Sequence, residues 1–349
     1  MSSPTESIIP LDRSIQVRIG GLDELRGVSI ICVLTAHFMN LRQFEILREL
    51  HLGAMAVDLF FIISGYLITK ILITSRGQPG YFRKFYVRRA FRILPLYYLV
   101  VVSGLIVAWA AGRNYHAWPF YLTFLQNLLN HPTLMEEAIL PARYVSVSGL
   151  SPLWSLATEE QFYLLIPLLI AVTPPRWLPW ILSLIAGLGI SLFHIAFVGE
   201  SSDNWCYPNF RFPWLRMQYL ALGGLLNFSM RWWGIIGLLV AWSLLAVASN
   251  GPTEWLPIFV LAGSLFTVDA AIQGWWRLNN RFLAQLGVMC FGLYVLHMPI
   301  LILLRPVFRA LSLSFALQGL LFGGGCFLAA WLSFHWFEQP VQRWRARFE

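Results

Sequence analysis

Ten long apolar stretches, separated by short polar segments, constrain the fold of this chain more than any other feature of its sequence. Segments of roughly 20 apolar residues cross a bilayer as helices, because a helix satisfies its own backbone hydrogen bonds. The sequence therefore predicts an all-α integral membrane protein, a polytopic bundle of about ten transmembrane helices. The stretches lie near residues 25–41, 52–74, 93–111, 153–172, 178–198, 212–229, 233–248, 255–273, 282–304 and 315–337.

The composition excludes a soluble globular protein. Of 349 residues, 58% are apolar and 12% are charged, about half of the roughly 25% charged residues that soluble chains carry. In such a chain the net charge of +8 reports on loop topology, and we expect membrane lipid and no nucleic acid as a partner. The four cysteines are far apart and show no metal-binding spacing, so neither a metal site nor a disulfide is expected.

The distribution of basic residues predicts the orientation. An eleventh apolar segment, Trp118–Asn130, is short and contains two amide side chains. If it does not span, most Lys and Arg residues fall on one side, and the positive-inside rule places both termini in the cytoplasm. The predicted organisation is a cytoplasmic tail (1–20), a transmembrane domain (21–340) and a basic cytoplasmic tail (341–349).

The first span carries an arginine and a histidine on one face. Arg26 and His37 are eleven residues apart, which is three helical turns plus about 20°, or roughly 16 Å along the axis. Ionisable residues inside apolar helices are costly and are therefore functional candidates. Desolvation favours a neutral imidazole, which suits a general base. A histidine that merely hydrogen-bonds between helices gives the same pattern.

Further ionisable residues lie at a similar predicted depth on three other spans: Asp58, the pair Glu159–Glu160, and His297. A carboxylate beside His37 would orient the ring and stabilise its protonated form. A structural ion-pair network is an equally good interpretation of these residues.

A basic run, FYVRRAFRILPLYY, precedes the third span and contains Arg88, Arg89 and Arg92. Arg88 and Arg92 are four residues apart and share a helical face. Arginine binds phosphate through two parallel hydrogen bonds, so the run is a candidate phosphate clamp. A topology determinant that contacts anionic lipid is the simpler alternative.

These residues occur in blocks that resemble, in order, the motifs of the acyltransferase 3 family of membrane O-acyltransferases. The resemblance extends from residue 22 to residue 343. Three positions in two of the blocks depart from the family pattern, Glu24 in place of glycine and Cys290-Phe291 in place of Ser-Tyr. The blocks are LDELRG followed by His37, VDLFFIISGYLIT, VRRAFRILPLYY, LWSLATEEQFYLLIP, FGLYVLHMPI and FEQPVQR.

The resemblance implies a reaction and roles for the residues. The donor would be cytoplasmic acyl-CoA, with acetyl-CoA favoured, used as a co-substrate and not as a tightly bound cofactor. Its phosphates would lie near the three arginines, and His37 would take the proton from an acceptor hydroxyl. Asp58 or Glu159 would orient His37 or the acceptor, and Arg26 would stabilise charge. An acyl-imidazole on His37 is an alternative route.

The resemblance also suggests lesser roles and a cellular setting. Asp23, Glu160 and His297 are possible assisting residues, whereas Ser64, next to a glycine, is interpreted as a packing residue. We expect a multi-pass protein of the bacterial inner membrane that acylates a surface polysaccharide such as lipopolysaccharide or another glycoconjugate. With no esterase-like SGNH domain after the last block, it resembles the stand-alone branch of the family.

Two other classes of function remain open from the sequence. A secondary transporter of glycan intermediates could use His37, Asp58 and Glu159 as a proton relay, although no repeated halves are visible. A scaffold subunit could use the same residues only to hold helices together.

Overall fold

A computed structural model describes residues 20–39, 52–112, 118–130, 149–198, 214–228, 231–248 and 255–348. Within these ranges all regular structure is helical. The predicted tail of residues 1–20 lies outside the described residues, except for Gly20. The α-helices are α1 Gly20–Met39, α2 Leu52–Ser75, α3 Tyr81–Ala110, α4 Trp118–Leu122, α5 Trp154–Val172, α6 Leu178–Val198, α7 Trp214–Leu225, α8 Arg231–Ala248, α9 Trp255–Gln273, α10 Arg281–Val288, α11 Cys290–Ala310, α12 Phe315–Ser333 and α13 Gln339–Trp344.

Six helical segments among the described residues are long and apolar enough to cross a membrane, which makes this a multi-pass membrane protein. They include α2, α3 and α11 in full, α5 with the short turn before it, α6 from the turn before it as far as His194, and α12 with its continuation to Arg347. Helices α8 and α9 contain shorter apolar stretches, 234–244 and 258–273. The total of about ten spans and the side on which each terminus lies stay predictions.

Two predicted spans differ from the observed helices. The span predicted at 93–111 is the second part of α3, which begins at Tyr81 and runs for 30 residues. Arginine and lysine favour helix almost as strongly as leucine, so the basic run continues the helix. The span predicted at 282–304 is interrupted at Met289, whose backbone (φ −91°, ψ 5°) ends α10 and precedes α11.

The segment Trp118–Asn130 consists of the five-residue α4 and a 3₁₀ turn. At 1.5 Å per residue, α4 is far too short to cross a hydrocarbon core of ~30 Å. Hydrogen bonds hold the segment against the bundle, from the Tyr97 hydroxyl to the Tyr121 carbonyl (2.6 Å) and from Gln126 Nε2 to the Leu153 carbonyl (2.8 Å). The segment therefore packs against the residues at the start of α5.

Glycines bring two pairs of helices into close contact. A Cβ at Gly27 would overlap the carbonyl of Leu283, and a Cβ at Gly287 would overlap that of Asp23, so α1 and α10 touch backbone to backbone. Gly65 of α2 and Gly223 of α7 each face a carbonyl of the opposite helix in the same way. Small residues are typical of such crossings in membrane bundles.

Candidate active site

A cavity lies among α1, α2, α3, α5 and α11. Its volume is about 90 Å³, which is room for several water molecules at roughly 10–15 Å³ each, or for a small acyl group. Charged, hydroxyl and aromatic side chains share the wall. The lining residues are Arg26, Val57, Phe60, Phe61, Ser64, Arg89, Arg92, Ile93, Ser155, Leu156, Glu159, Tyr163, Cys290, Phe291 and Tyr294.

Three arginines give the cavity its positive charge. Arg89 and Arg92 are three residues apart on α3, and both line the cavity. Arg26 enters from α1 and pairs with Asp23 at 3.6 Å. Arg88 is not among the lining residues, so the predicted Arg88–Arg92 face is replaced at the cavity by Arg89 and Arg92.

Aromatic rings hold Arg89 in place. Its guanidinium lies 5.3 Å from the centre of the Tyr163 ring and 6.0 Å from that of Phe85. Cation–π contacts of this kind restrict a long side chain and partly replace its lost hydration. Tyr163 comes from α5, so this contact also ties α3 to the helix that carries the cavity's carboxylate.

Glu159 is the carboxylate in the cavity wall. Its side chain is partly buried and lines the cavity. Its side chain hydrogen-bonds with Ser64, and the three cavity arginines are close enough to interact with its charge. Glu160 points elsewhere, and its Oε1 has no hydrogen-bond partner among the described residues. Of the two glutamates, Glu159 alone therefore belongs to the cavity wall.

The two predicted histidines meet. The rings of His37 on α1 and His297 on α11 are 4.8 Å apart between centroids, at an angle of 60°. His37 Nδ1 bonds to the Val33 carbonyl at 2.9 Å, and His297 Nδ1 to the Tyr294 carbonyl at 2.5 Å. His37 is half-buried, whereas His297 is fully buried. We refer to His37 and His297 as the histidine pair.

Tyr294 connects the cavity with the histidine pair. It lines the cavity and lies one helical turn before His297, with 5.7 Å between the two ring centroids. Its hydroxyl donates to the Pro152 carbonyl at 2.6 Å and shares a second hydrogen bond of 2.6 Å with Ser155. The first turn of α5 and the short turn before it thereby fix the tyrosine between the arginine-lined cavity and the imidazoles.

Asp58 lies in a different polar cluster. Its carboxylate pairs with Arg216 of α7 at 2.5 Å, and the two side chains are 2% and 0% exposed. Tyr219 hydrogen-bonds to the same carboxylate and lies beneath the guanidinium. The expected orienting role of Asp58 toward His37 therefore competes with a strong contact to Arg216, which ties α2 to α7.

Glu24, one of the departures from the family pattern, has a structural role. Its carboxylate accepts hydrogen bonds from the backbone N–H groups of Leu278 and Asn280, at 2.8 and 2.9 Å. The side chain of Asn280 then caps the start of α10. Glu24 thus fixes the entry to the helix that packs closely on α1.

Sequence reasoning missed several residues of the wall. Ser64, interpreted as a packing residue, lines the cavity and hydrogen-bonds with Glu159. Two other residues of the wall could have been predicted from helical spacing. Tyr163 lies one turn after Glu159, and Tyr294 lies one turn before His297, so each shares a helical face with a predicted residue. No comparable signal marks Ser155, whose role depends on the contact between α5 and α11.

A family model described as an acyltransferase domain, that of the acyltransferase 3 family, matches residues 19–335. YrhL of Bacillus subtilis (strain 168) is 27% identical over 93% of this chain and 55% of its own length. The peptidoglycan O-acetyltransferase OatA of Listeria monocytogenes is 25% identical over 93% of this chain and 56% of its own. The O-acetyltransferase OatA of Staphylococcus aureus (strain NCTC 8325) is 27% identical over 82% and 51%.

The chain spans about half the length of these curated relatives. No solved structure matches it.

Proposed function

This chain belongs to the acyltransferase 3 family, and we propose that it is a membrane O-acetyltransferase that uses acetyl-CoA from the cytoplasm to acetylate a hydroxyl of a glycan. The relatives from Listeria and Staphylococcus carry names that state O-acetyltransfer, and one of them names peptidoglycan. A polysaccharide or glycoconjugate of the bacterial surface is therefore the proposed acceptor, and the inner membrane the proposed location.

One observation carries the proposal: an arginine-lined cavity ends one side chain away from a histidine pair. Tyr294 lines the cavity and contacts His297 of the histidine pair. Acyl transfer requires the thioester of the donor to lie close to the base that activates the acceptor, because the reacting atoms must come within about 3–3.5 Å of each other.

The donor is proposed to enter with its acyl end first. The cavity volume of about 90 Å³ suits a thioester with a small acyl group, and we place the nucleotide part of coenzyme A outside the cavity. Arg89 and Arg92, which line the cavity, would bind the phosphate groups of the donor, and Arg88, outside the cavity, would make the weaker contact. Arginine forks suit phosphate oxygens better than a single ammonium group does.

His37 is the proposed base. Because a carbonyl only accepts hydrogen bonds, the contact with Val33 places the hydrogen of a neutral His37 on Nδ1. The lone pair is then on Nε2, which takes the proton of the acceptor hydroxyl. The acceptor oxygen attacks the thioester carbonyl, the carbon–sulfur bond breaks, and the proton returns to the departing sulfur, giving the ester and free coenzyme A.

Glu159 and Arg26 would act around this step. Arg26 lines the cavity and can stabilise the negative charge that develops on the thioester oxygen. Glu159 interacts with all three cavity arginines and would hold them in position. An acyl-imidazole on His37 is the alternative route, and it predicts exchange of label between acetyl-CoA and free coenzyme A without acceptor.

The proposal is tested with the purified chain in proteoliposomes that contain oligosaccharide acceptors and receive labelled acetyl-CoA from outside. We expect release of coenzyme A and an acetylated glycan, seen by mass spectrometry. Uptake or release of unmodified glycan with no acetylated product would instead support a transporter. Protein carrying His37→Gln serves as the matched control for non-enzymatic transfer.

A further inference from the structure

We infer that His297 is a positioning residue that acts through His37: its buried neutral ring, in contact with the His37 ring, stabilises the positive charge that His37 carries during acyl transfer. This inference rests on the proposed function and adds a second imidazole to its chemistry. It starts from the geometry of the histidine pair, in which the two rings contact each other at 4.8 Å between centroids.

The backbone sets the same tautomer in both rings. Each Nδ1 lies against a carbonyl of its own helix, Val33 for His37 and Tyr294 for His297. A carbonyl oxygen cannot donate, so each Nδ1 must carry the hydrogen, and each neutral ring keeps its lone pair on Nε2. The pair thus holds two basic nitrogens and no proton to share between them in the resting state.

Burial assigns different tasks to the two rings. His37 is half-buried, whereas His297 is 0% exposed. Its Nε2 has no hydrogen-bond partner among the described residues. Buried polar atoms of this kind are nearly always paired, and the exceptions need an explanation. A positive charge that forms on the neighbouring His37 ring only during the reaction explains this one.

The reaction supplies that charge. When His37 Nε2 takes the proton of the acceptor hydroxyl, the His37 ring becomes a cation in contact with the neutral His297 ring. The lone pair of His297 Nε2 stabilises this cation until the proton passes to the departing sulfur. The step is balanced, because the acceptor hydroxyl loses one proton, the coenzyme A sulfur gains it, and both imidazole rings return to their neutral form.

The same chain offers a matched control. His335 bonds through Nδ1 to the carbonyl four residues before it, at the 2.9 Å distance seen for His37. It is exposed to the surroundings of the bundle and contacts Trp331 and Phe334. Its replacement by glutamine removes a comparable backbone contact at a residue that does not line the cavity.

The test compares two acceptors in proteoliposomes at equal protein levels. A glycan hydroxyl needs a base, whereas hydroxylamine attacks a thioester through a nitrogen that already has a free lone pair. With His297→Phe, which keeps a ring, we expect kcat for the glycan to fall at least about tenfold. The KM for acetyl-CoA should stay within about twofold, and the enzyme-dependent hydroxylamine reaction should be largely retained. His297→Gln and the His335→Gln control guard against misfolding.

The outcomes separate the inference from the proposed function. An unchanged kcat in His297→Phe and His297→Gln would overturn the inference and leave the function standing. An equal loss of both reactions at normal protein levels would also overturn it, because a purely structural role acts on both. Absence of transfer by the wild-type chain would instead refute the proposed function itself.

Discussion

The two neighbouring glutamates of α5 illustrate how much one helical step changes a side chain's surroundings. Glu159 faces the cavity and interacts with Ser64 and three arginines, whereas Glu160 does not line it. We expect Glu159→Gln to lower acetyl transfer at least about tenfold, because charge-assisted contacts contribute roughly 1.5–3 kcal/mol each. Glu160→Gln should retain most of it. Equal losses in the two variants, measured at equal protein levels, would contradict this assignment.

The arginines of α3 lead to a second single-residue prediction. Arg89 lines the cavity between two aromatic rings, and Arg88 does not line it. Loss of a charged hydrogen-bond donor of ~1.5–3 kcal/mol should raise the KM for acetyl-CoA by roughly ten- to a hundredfold in Arg89→Leu. Arg88→Leu, with the same change of charge at the neighbouring residue, should have the smaller effect. The reverse order would place the donor on another face of α3.

Single residues of the site were predictable to different degrees. His37, His297, Arg26 and Glu159 stand out because ionisable groups in apolar helices are rare. Their mutual arrangement was not predictable, because depth along a helix follows from sequence while rotation of one helix against another depends on packing. For Asp58 the partner, Arg216, lies 158 residues away, at the edge of a different apolar stretch, and nothing local indicates that they meet.

Among the helices, the contact between α2 and α7 combines glycines with a buried ion pair. Removing one partner of such a pair leaves the other charge uncompensated and costs about 3–5 kcal/mol. Asp58→Asn should therefore lower the free energy of unfolding and the amount of protein in the membrane, while activity per folded molecule stays near wild type. The double replacement Asp58→Leu with Arg216→Met should recover most of the stability. A stable but inactive Asp58→Asn protein would instead place Asp58 in the chemistry.

The contact between α1 and α10 sets the position of Arg26 and His37. Because a side chain at Gly287 would overlap the Asp23 carbonyl, we expect Gly287→Leu to separate the two helices and to reduce the amount of folded protein. A Cβ at Gly237 of α8 would meet no packing neighbour within 4 Å among the described residues, so Gly237→Leu is the matched control and should be neutral. Thermal unfolding in detergent measures both, and equal midpoints would show that the close contact is not required.

For the molecule as a whole, apolar length was enough to predict a multi-pass helical bundle, and the described helices confirm that class. Boundaries were less predictable where polar residues continue a helix, as in α3, or where a helix breaks inside an apolar run, as at Met289. Helix propensity and local backbone geometry decide these points, and hydropathy does not report them.

Sidedness is the property of the whole molecule that the positive-inside rule predicts. With both termini in the cytoplasm, a reporter enzyme that works only in the cytoplasm should be active after fusion to the C-terminus. A reporter that works only outside the cytoplasm should be inactive at the same position. The opposite result would move the basic tail, and with it the proposed entry side of the donor, across the membrane.

The most direct measurement is the rate of labelled acetyl transfer to a glycan by His37→Gln protein, reconstituted at the wild-type level. A positioned base contributes roughly 10²–10⁴-fold to such a reaction, so we expect the rate to fall by at least about a hundredfold while the protein remains inserted and folded. Transfer at the wild-type rate would show that the imidazole of His37 is not the base, and would remove the chemistry proposed here.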